Sequence, residues 1–309
     1  MLWGPSRSEV DVDEASASQH LIGGLFALGA GACWATASIL FGKLGKSVSS
    51  LAMNFGKGLV GLACLGIAVG VAGFHGASGQ AWLYLSLSGL VGITLGDTVF
   101  FDTLRRLGPR RTLLMTTLIP VLVAIMSFAL LDERLSGQAW LGAAITVAGV
   151  SWTMWERLPE GEDTGSWRAG IGYGLITVLT CAVAAILSKL GVQGVRPLDA
   201  TLIRLLAGTG GLLALGLFRR QIWAWVTPFR APRQLGALVA AAVVGTFVGI
   251  WFSMASFAYT SATVATILSA TDPIFVLPLA ALFMGEKLRP RPVLGAFVAL
   301  LGVSLLLTR

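Results

Sequence analysis

Charge is scarce in this chain. Asp, Glu, Lys and Arg make up 12% of its 309 residues, against 55% hydrophobic residues, and the mean hydropathy is +0.81. A soluble domain is nearer about a quarter charged, so an integral membrane protein is expected. Cysteine is also rare. Cys33, Cys64 and Cys181 all fall in apolar runs, and an odd, scattered count argues against a disulfide framework and for small core side chains. The two histidines, His20 and His75, lie outside those runs and far apart. No metal-ligand spacing results, and no metal or cofactor is expected. There is no G-x-x-x-x-G-K-[ST] loop, which leaves ATP drive within this chain unsupported. Residues 1–20 hold no apolar core of the length a cleaved signal needs and read as a polar, disordered tail. The net charge of +7 comes from short basic clusters between apolar runs. That is the membrane pattern, with lipid bilayer and not nucleic acid as the partner.

What remains is a series of runs long enough to cross a bilayer, which takes about twenty apolar residues each. They fall at 21–41, 50–73, 81–103, 111–131, 138–155, 170–188, 199–218, 234–257, 263–284 and 292–308. They are continuous, not alternating, so barrel strands are excluded. The expected fold class is an all-α membrane protein of ten transmembrane helices. The polar stretch 156–169 is read as a linker dividing a first five-helix repeat (21–155) from a second (170–309).

The two halves share anchors at one offset. Glu133 and Glu286, Leu135 and Leu288, Pro120 and Pro273, Gly92 and Gly245, and Gly96 and Gly249 are each 153 residues apart. Small residues at the Gly-xxx-Gly spacing let helices approach closely. An odd number of spans per half sends the second copy into the membrane upside down. Two inverted repeats are expected, with a site between them near the midplane.

These features resemble the drug/metabolite transporter superfamily, EamA type. The resemblance rests on Trp34 in ACWATASILFGKL, on the proline-bearing fourth and ninth spans, and on the paired turns DERLSGQAWLGAAITVAGV and GEKLRPRPVLGAFVALLGV. It covers residues 21–308. It implies a ten-helix permease that moves small metabolites, often outward; relatives carry amino acids, nucleotide-linked sugars or drugs. The chain departs from the pattern at Ala35, commonly Gly in the family. It departs again at Thr180-Cys181-Ala182, where the second half has no tryptophan. No substrate site is carried over from that motif.

Fifteen Lys and Arg residues fall in the loops after the odd-numbered spans and five on the other side. Positive residues favour the cytoplasm, so the charge count places both termini outside, whereas the resemblance implies termini inside. An integral, multi-pass protein of the plasma (inner) membrane is expected, and a monomer is the simpler state, since two halves can enclose a pathway.

Four charges lie deep in the spans: Lys57, Asp97, Arg204 and Asp272. A charge near the bilayer centre costs about 2.5–3.5 kcal/mol on insertion scales. Lys57 and Asp97 are each roughly 10 Å deep from one side at 1.5 Å per residue, so they can pair if their helices pack. Arg204 and Asp272 are likewise deep from one side that they share, and the long arginine could reach the aspartate. Asn54 corresponds to Arg204 in the other half. With Trp34, these residues form the candidate cavity; Trp34 is equally placed for lipid contact. Pro120 and Pro273 are expected to kink their helices. The Lys57–Asp97 pair is either a brace between two helices or part of a water-filled cavity that meets a charged or zwitterionic substrate. Asp102 is expected to pair with Arg105 and Arg106 along one helix face.

The function read from this is a secondary transporter of a small-molecule substrate, an exporter of metabolites such as amino acids or other zwitterions. Protons are a candidate coupling ion through Asp97 or Asp272, with facilitated exchange left open. The alternative is an intramembrane aspartyl-type hydrolase using Asp97 and Asp272. TLGD (94–97) resembles the G-x-G-D signature of such proteases, but Thr94 occupies the first glycine position. A scaffold without solute flux is a third reading.

Overall fold

The computed structural model describes residues 7–130, 137–154, 164–284, 293–295, 297–298 and 301–302. Among these residues the chain is helical and contains no strand. Helix α1 is Arg7–Leu44, α2 Ser50–Ala72, α3 Gly79–Ser88, α4 Thr98–Thr116, α5 Ile119–Leu130, α6 Gly137–Met154, α7 Thr164–Gly191 and α8 Pro197–Phe218. Then follow α9 Ile222–Val226, α10 Pro232–Ala242, α11 Gly249–Tyr259, α12 Ala262–Ser269 and α13 Asp272–Met284. Helical backbone therefore begins at Arg7, inside the stretch expected as a tail, and α7 begins inside the expected linker. Among the described residues six helices are long and apolar enough to cross a membrane: Gln19–Leu44, Ser50–Ala72, Gly79–Thr116, Ser166–Gly191, Pro197–Phe218 and Pro232–Tyr259. Three shorter apolar helices accompany them. Most of the expected tenth span, and the turn residues Glu133, Leu135, Glu286 and Leu288, lie outside the described residues.

The third and fourth expected spans are joined almost without a loop. Gly108 takes φ 76°, a left-handed conformation that favours glycine, and Pro109 starts the next helical turn. The fourth and ninth expected spans are not continuous. They break at Thr117–Leu118 and at Ala270–Thr271, and a proline is second in each helix that follows. Proline has no N–H, and in mid-helix its ring would meet the carbonyl four residues back. Just after a break the missing N–H is one that has no helical partner anyway. Hydroxyls tie up the carbonyls freed on the near side: Thr116 donates to Leu113 O at 2.7 Å, Thr117 to Leu114 O at 2.7 Å, and Thr271 to Leu268 O at 2.7 Å. Such local bonds are what make a broken helix tolerable inside a membrane.

A second irregularity also occurs twice. The segments Gly89–Asp97 and Val243–Val248 are π-helical, and they hold Gly92 and Gly245. Their glycines mark close helix crossings. A Cβ at Gly89 would collide with the Arg204 carbonyl. One at Gly92 would meet Ala184 Cβ at 2.7 Å, and one at Gly245 would meet Ala37 Cβ at 2.5 Å.

The halves interlock. The first-half segment from α3 to α4 packs on α7 and α8 of the second half, and α1 packs on α10 to α13. Two buried apolar clusters lie toward opposite ends of the bundle. One gathers residues near the α1–α2 and α8–α10 junctions, with Phe41, Leu44, Met53, Phe101, Trp225 and Phe229. The other gathers residues near the α2–α3, α7–α8 and α11–α12 junctions, with Leu85, Ile186, Val192, Ile203, Met254 and Phe257.

Candidate functional site

Between these clusters lies a cavity of about 190 Å³, lined from both halves. Six of the expected residues line it: Trp34, Lys57, Asp97, Pro120, Arg204 and Asp272. Trp34 is therefore a wall residue and not a lipid contact. Its indole N–H donates to the Gly245 carbonyl at 3.2 Å, so a first-half side chain is held on the second half's π segment. Asn54 is not among the lining residues. It is fully buried, and its amide donates to Ile93 O at 2.7 Å and Thr98 Oγ1 at 2.8 Å. Ile93 belongs to the first π segment, where the regular bond ladder is shifted, so Asn54 satisfies backbone that the irregularity exposes.

Lys57 and Asp97 pair as their depths suggest. Lys57 Nζ is 2.5 Å from Asp97 Oδ2, with side-chain exposures of 6% and 27%, and it also lies 5.7 Å from the Phe101 ring centroid. Both line the cavity, the lysine more deeply buried than the aspartate. Arg204 behaves otherwise than expected: it does not pair with Asp272. Its guanidinium lies against Gly92 instead, because α8 packs on the first π segment and on α2. Its Nε is buried without a partner, and it makes no ion pair with the described residues. Asp272 starts α13, whose neighbours are α1 and α4. One of its oxygens, Oδ1, is buried and unbonded; the other is 3.5 Å from Thr116 Oγ1, at the outer limit of a hydrogen bond. That same hydroxyl already donates to Leu113 O.

Neither aspartate bonds the other among the described residues, so the carboxylate pair that the hydrolase alternative requires is not formed. Asp102 accepts from Ser50 Oγ at 2.6 Å and lies 3.8 Å from Arg105, while Arg106 stacks over Tyr173 at 5.1 Å. Cys181 lines the cavity, and all three cysteines are free and half-buried.

Several lining groups escaped sequence reading: Phe41, Phe100 and Phe101, and the hydroxyls of Thr116 and Ser269. A signal did exist for the last two. They are four residues before Pro120 and Pro273, so they stand at the same 153-residue offset as the prolines.

The pattern of the EamA-like transporter family matches residues 21–155 and 168–308. An uncharacterised transporter of Synechocystis sp. is 27% identical over 250 residues, covering 74% of this chain and 72% of that protein. One of Archaeoglobus fulgidus is 25% identical over 287 residues, covering 92% and 97%. A solved crystal structure at 17% identity superposes with a TM-score of 0.67 over 94% of this chain and 96% of that one, a likeness of fold.

Proposed function

The chain belongs to the EamA-like transporter family, and from that premise we propose that it is a secondary transporter exporting small zwitterionic metabolites across the plasma membrane. It does so by alternating access between two inverted five-helix repeats. The observation that carries this reading is a cavity lined by charged side chains to which both halves contribute. The halves present matching irregularities to it: a π segment and a proline-marked break in each, with the prolines 153 residues apart. Paired broken helices around a midplane site are how inverted-repeat transporters hold polar substrates in lipid. A cavity of about 190 Å³ is smaller than the roughly 300–1,000 Å³ of drug-sized sites, which favours metabolites over large drugs.

Purified protein in proteoliposomes, assayed by counterflow against amino acids, purines, sugars and cationic drugs, tests the proposal. Saturable exchange of amino acids or other zwitterions is expected, with net efflux of a preloaded solute from cells that express the protein. Absence of flux for every class would end the transporter reading, and net uptake alone would end the export direction.

A further inference from the structure

The cavity has two electrical poles. At one, Lys57, Asp97 and Arg204 sum to one excess positive charge, and the lysine is already neutralised by Asp97. Arg204 is the group left over, with its Nε buried and unbonded. At the other pole Asp272 is buried with Oδ1 unbonded, and only the occupied Thr116 hydroxyl is near. Among the described residues Arg204 and Asp272 form no ion pair with each other, and Arg204 Nε and Asp272 Oδ1 have no hydrogen-bond partner. The two orphan charges therefore line one cavity without neutralising each other. The surfaces around them include Trp34, Ile93, Phe100, Ile119 and Ile250. An unpaired buried ion is costly, and a bound counter-charge relieves it.

We infer that Arg204 and Asp272 are opposite ends of the solute site, which selects a zwitterion whose anionic and cationic groups are separated along an apolar body. The anionic end meets the Arg204 guanidinium, a planar fork suited to a carboxylate. The cationic end meets Asp272. A methylene chain between them lies against the aromatic and aliphatic walls. This rests on the transporter reading above and narrows its substrate class to zwitterions whose charges are held apart, as against an α-amino acid, which holds both on one carbon.

The test uses 6-aminohexanoate, hexanoate, hexylamine and leucine as probes, with binding to the purified chain measured by calorimetry. 6-Aminohexanoate should bind about tenfold or more tighter than each of the others, the worth of one charge-assisted hydrogen bond. Arg204→Gln should bring 6-aminohexanoate down to the level of hexylamine and leave hexylamine unchanged. Asp272→Asn should bring it down to the level of hexanoate and leave hexanoate unchanged. Arg204→Lys and Asp272→Glu, which keep the charges, should recover much of the preference and show that the loss is not one of folding. The inference is overturned if leucine binds as tightly as 6-aminohexanoate, if either single-charge probe matches it, or if both neutral variants weaken all four probes alike. Failure of 6-aminohexanoate to bind, in a protein that exchanges some other solute in proteoliposomes, sinks this inference alone. Failure of every solute to exchange sinks the transporter reading with it.

Discussion

Lys57 and Asp97 show why a chain so poor in charge keeps a carboxylate at position 97. The lysine is buried between helices, and Asp97 is its one ion-pair partner among the described residues. Removing one member of such a pair strands the other and costs about 3–5 kcal/mol, whereas replacing both by neutral groups is often tolerated. Lys57→Met is therefore expected to lower the unfolding temperature in detergent and abolish flux, while Lys57→Met with Asp97→Asn recovers most of the stability and part of the flux. Two variants that fold equally well and are equally inactive would show instead that the pair touches solute directly. The sequence revealed this contact because both residues could be counted inward from helix ends on one side. The same count suggested Arg204 with Asp272 and was wrong, since depth says nothing about which helices are neighbours. Asn54 was misplaced for a related reason. Its polarity was visible, but the Ile93 carbonyl it serves lies in a π turn that has no compositional mark.

At the level of the element, hydropathy located apolar helical stretches among the described residues but not their defects. It counts residues and not bonds, so a shifted hydrogen-bond ladder within an apolar run is invisible to it. The prolines were legible, yet they suggested bends within continuous helices. The chain instead stops and restarts, with threonine hydroxyls holding the loose carbonyls. The repeated glycines were legible as close-packing positions, and the crossings of the first π segment make their burden testable. Gly89→Ala would drive a Cβ into the backbone carbonyl of Arg204, whereas Gly70, in the exposed face of α2, has open space around it. Gly89→Ala is expected to destabilise the fold by about 1–3 kcal/mol through overpacking. Gly70→Ala should be neutral or gain up to about 1 kcal/mol in helix propensity. Asn54→Leu should cost about 1–3 kcal/mol by leaving a buried carbonyl unsatisfied. Thermal unfolding of the three variants in one detergent checks the ranking, and a Gly89→Ala protein as stable as Gly70→Ala would contradict the packing described.

On the scale of the whole molecule, an apolar cluster lies on each side of the cavity, toward the ends of the bundle, one around Phe41 and Phe101 and one around Ile186 and Phe257. Each cluster is built from both halves, so opening either one means moving helices of one half against helices of the other. Interlocked packing is also why the sequence division into two fives did not foretell two separate bodies. The duplication was legible in the 153-residue offset, but the exchange of neighbours between copies is a tertiary fact. If the two clusters part in alternation, a side chain in the middle becomes reachable from each membrane face in turn. Cys181 is a native reporter there, free and half-buried in the cavity wall. With Cys33 and Cys64 replaced by serine, a membrane-impermeant thiol reagent applied to right-side-out or inverted vesicles should label Cys181 in both preparations. A saturating transported solute should slow labelling from both faces, because it occupies the space the reagent must enter. Labelling from one face alone, whatever solute is present, would describe a fixed vestibule and remove alternating access from the mechanism. Labelling from both faces with no protection by any solute that crosses would mean that the transport route bypasses this cavity.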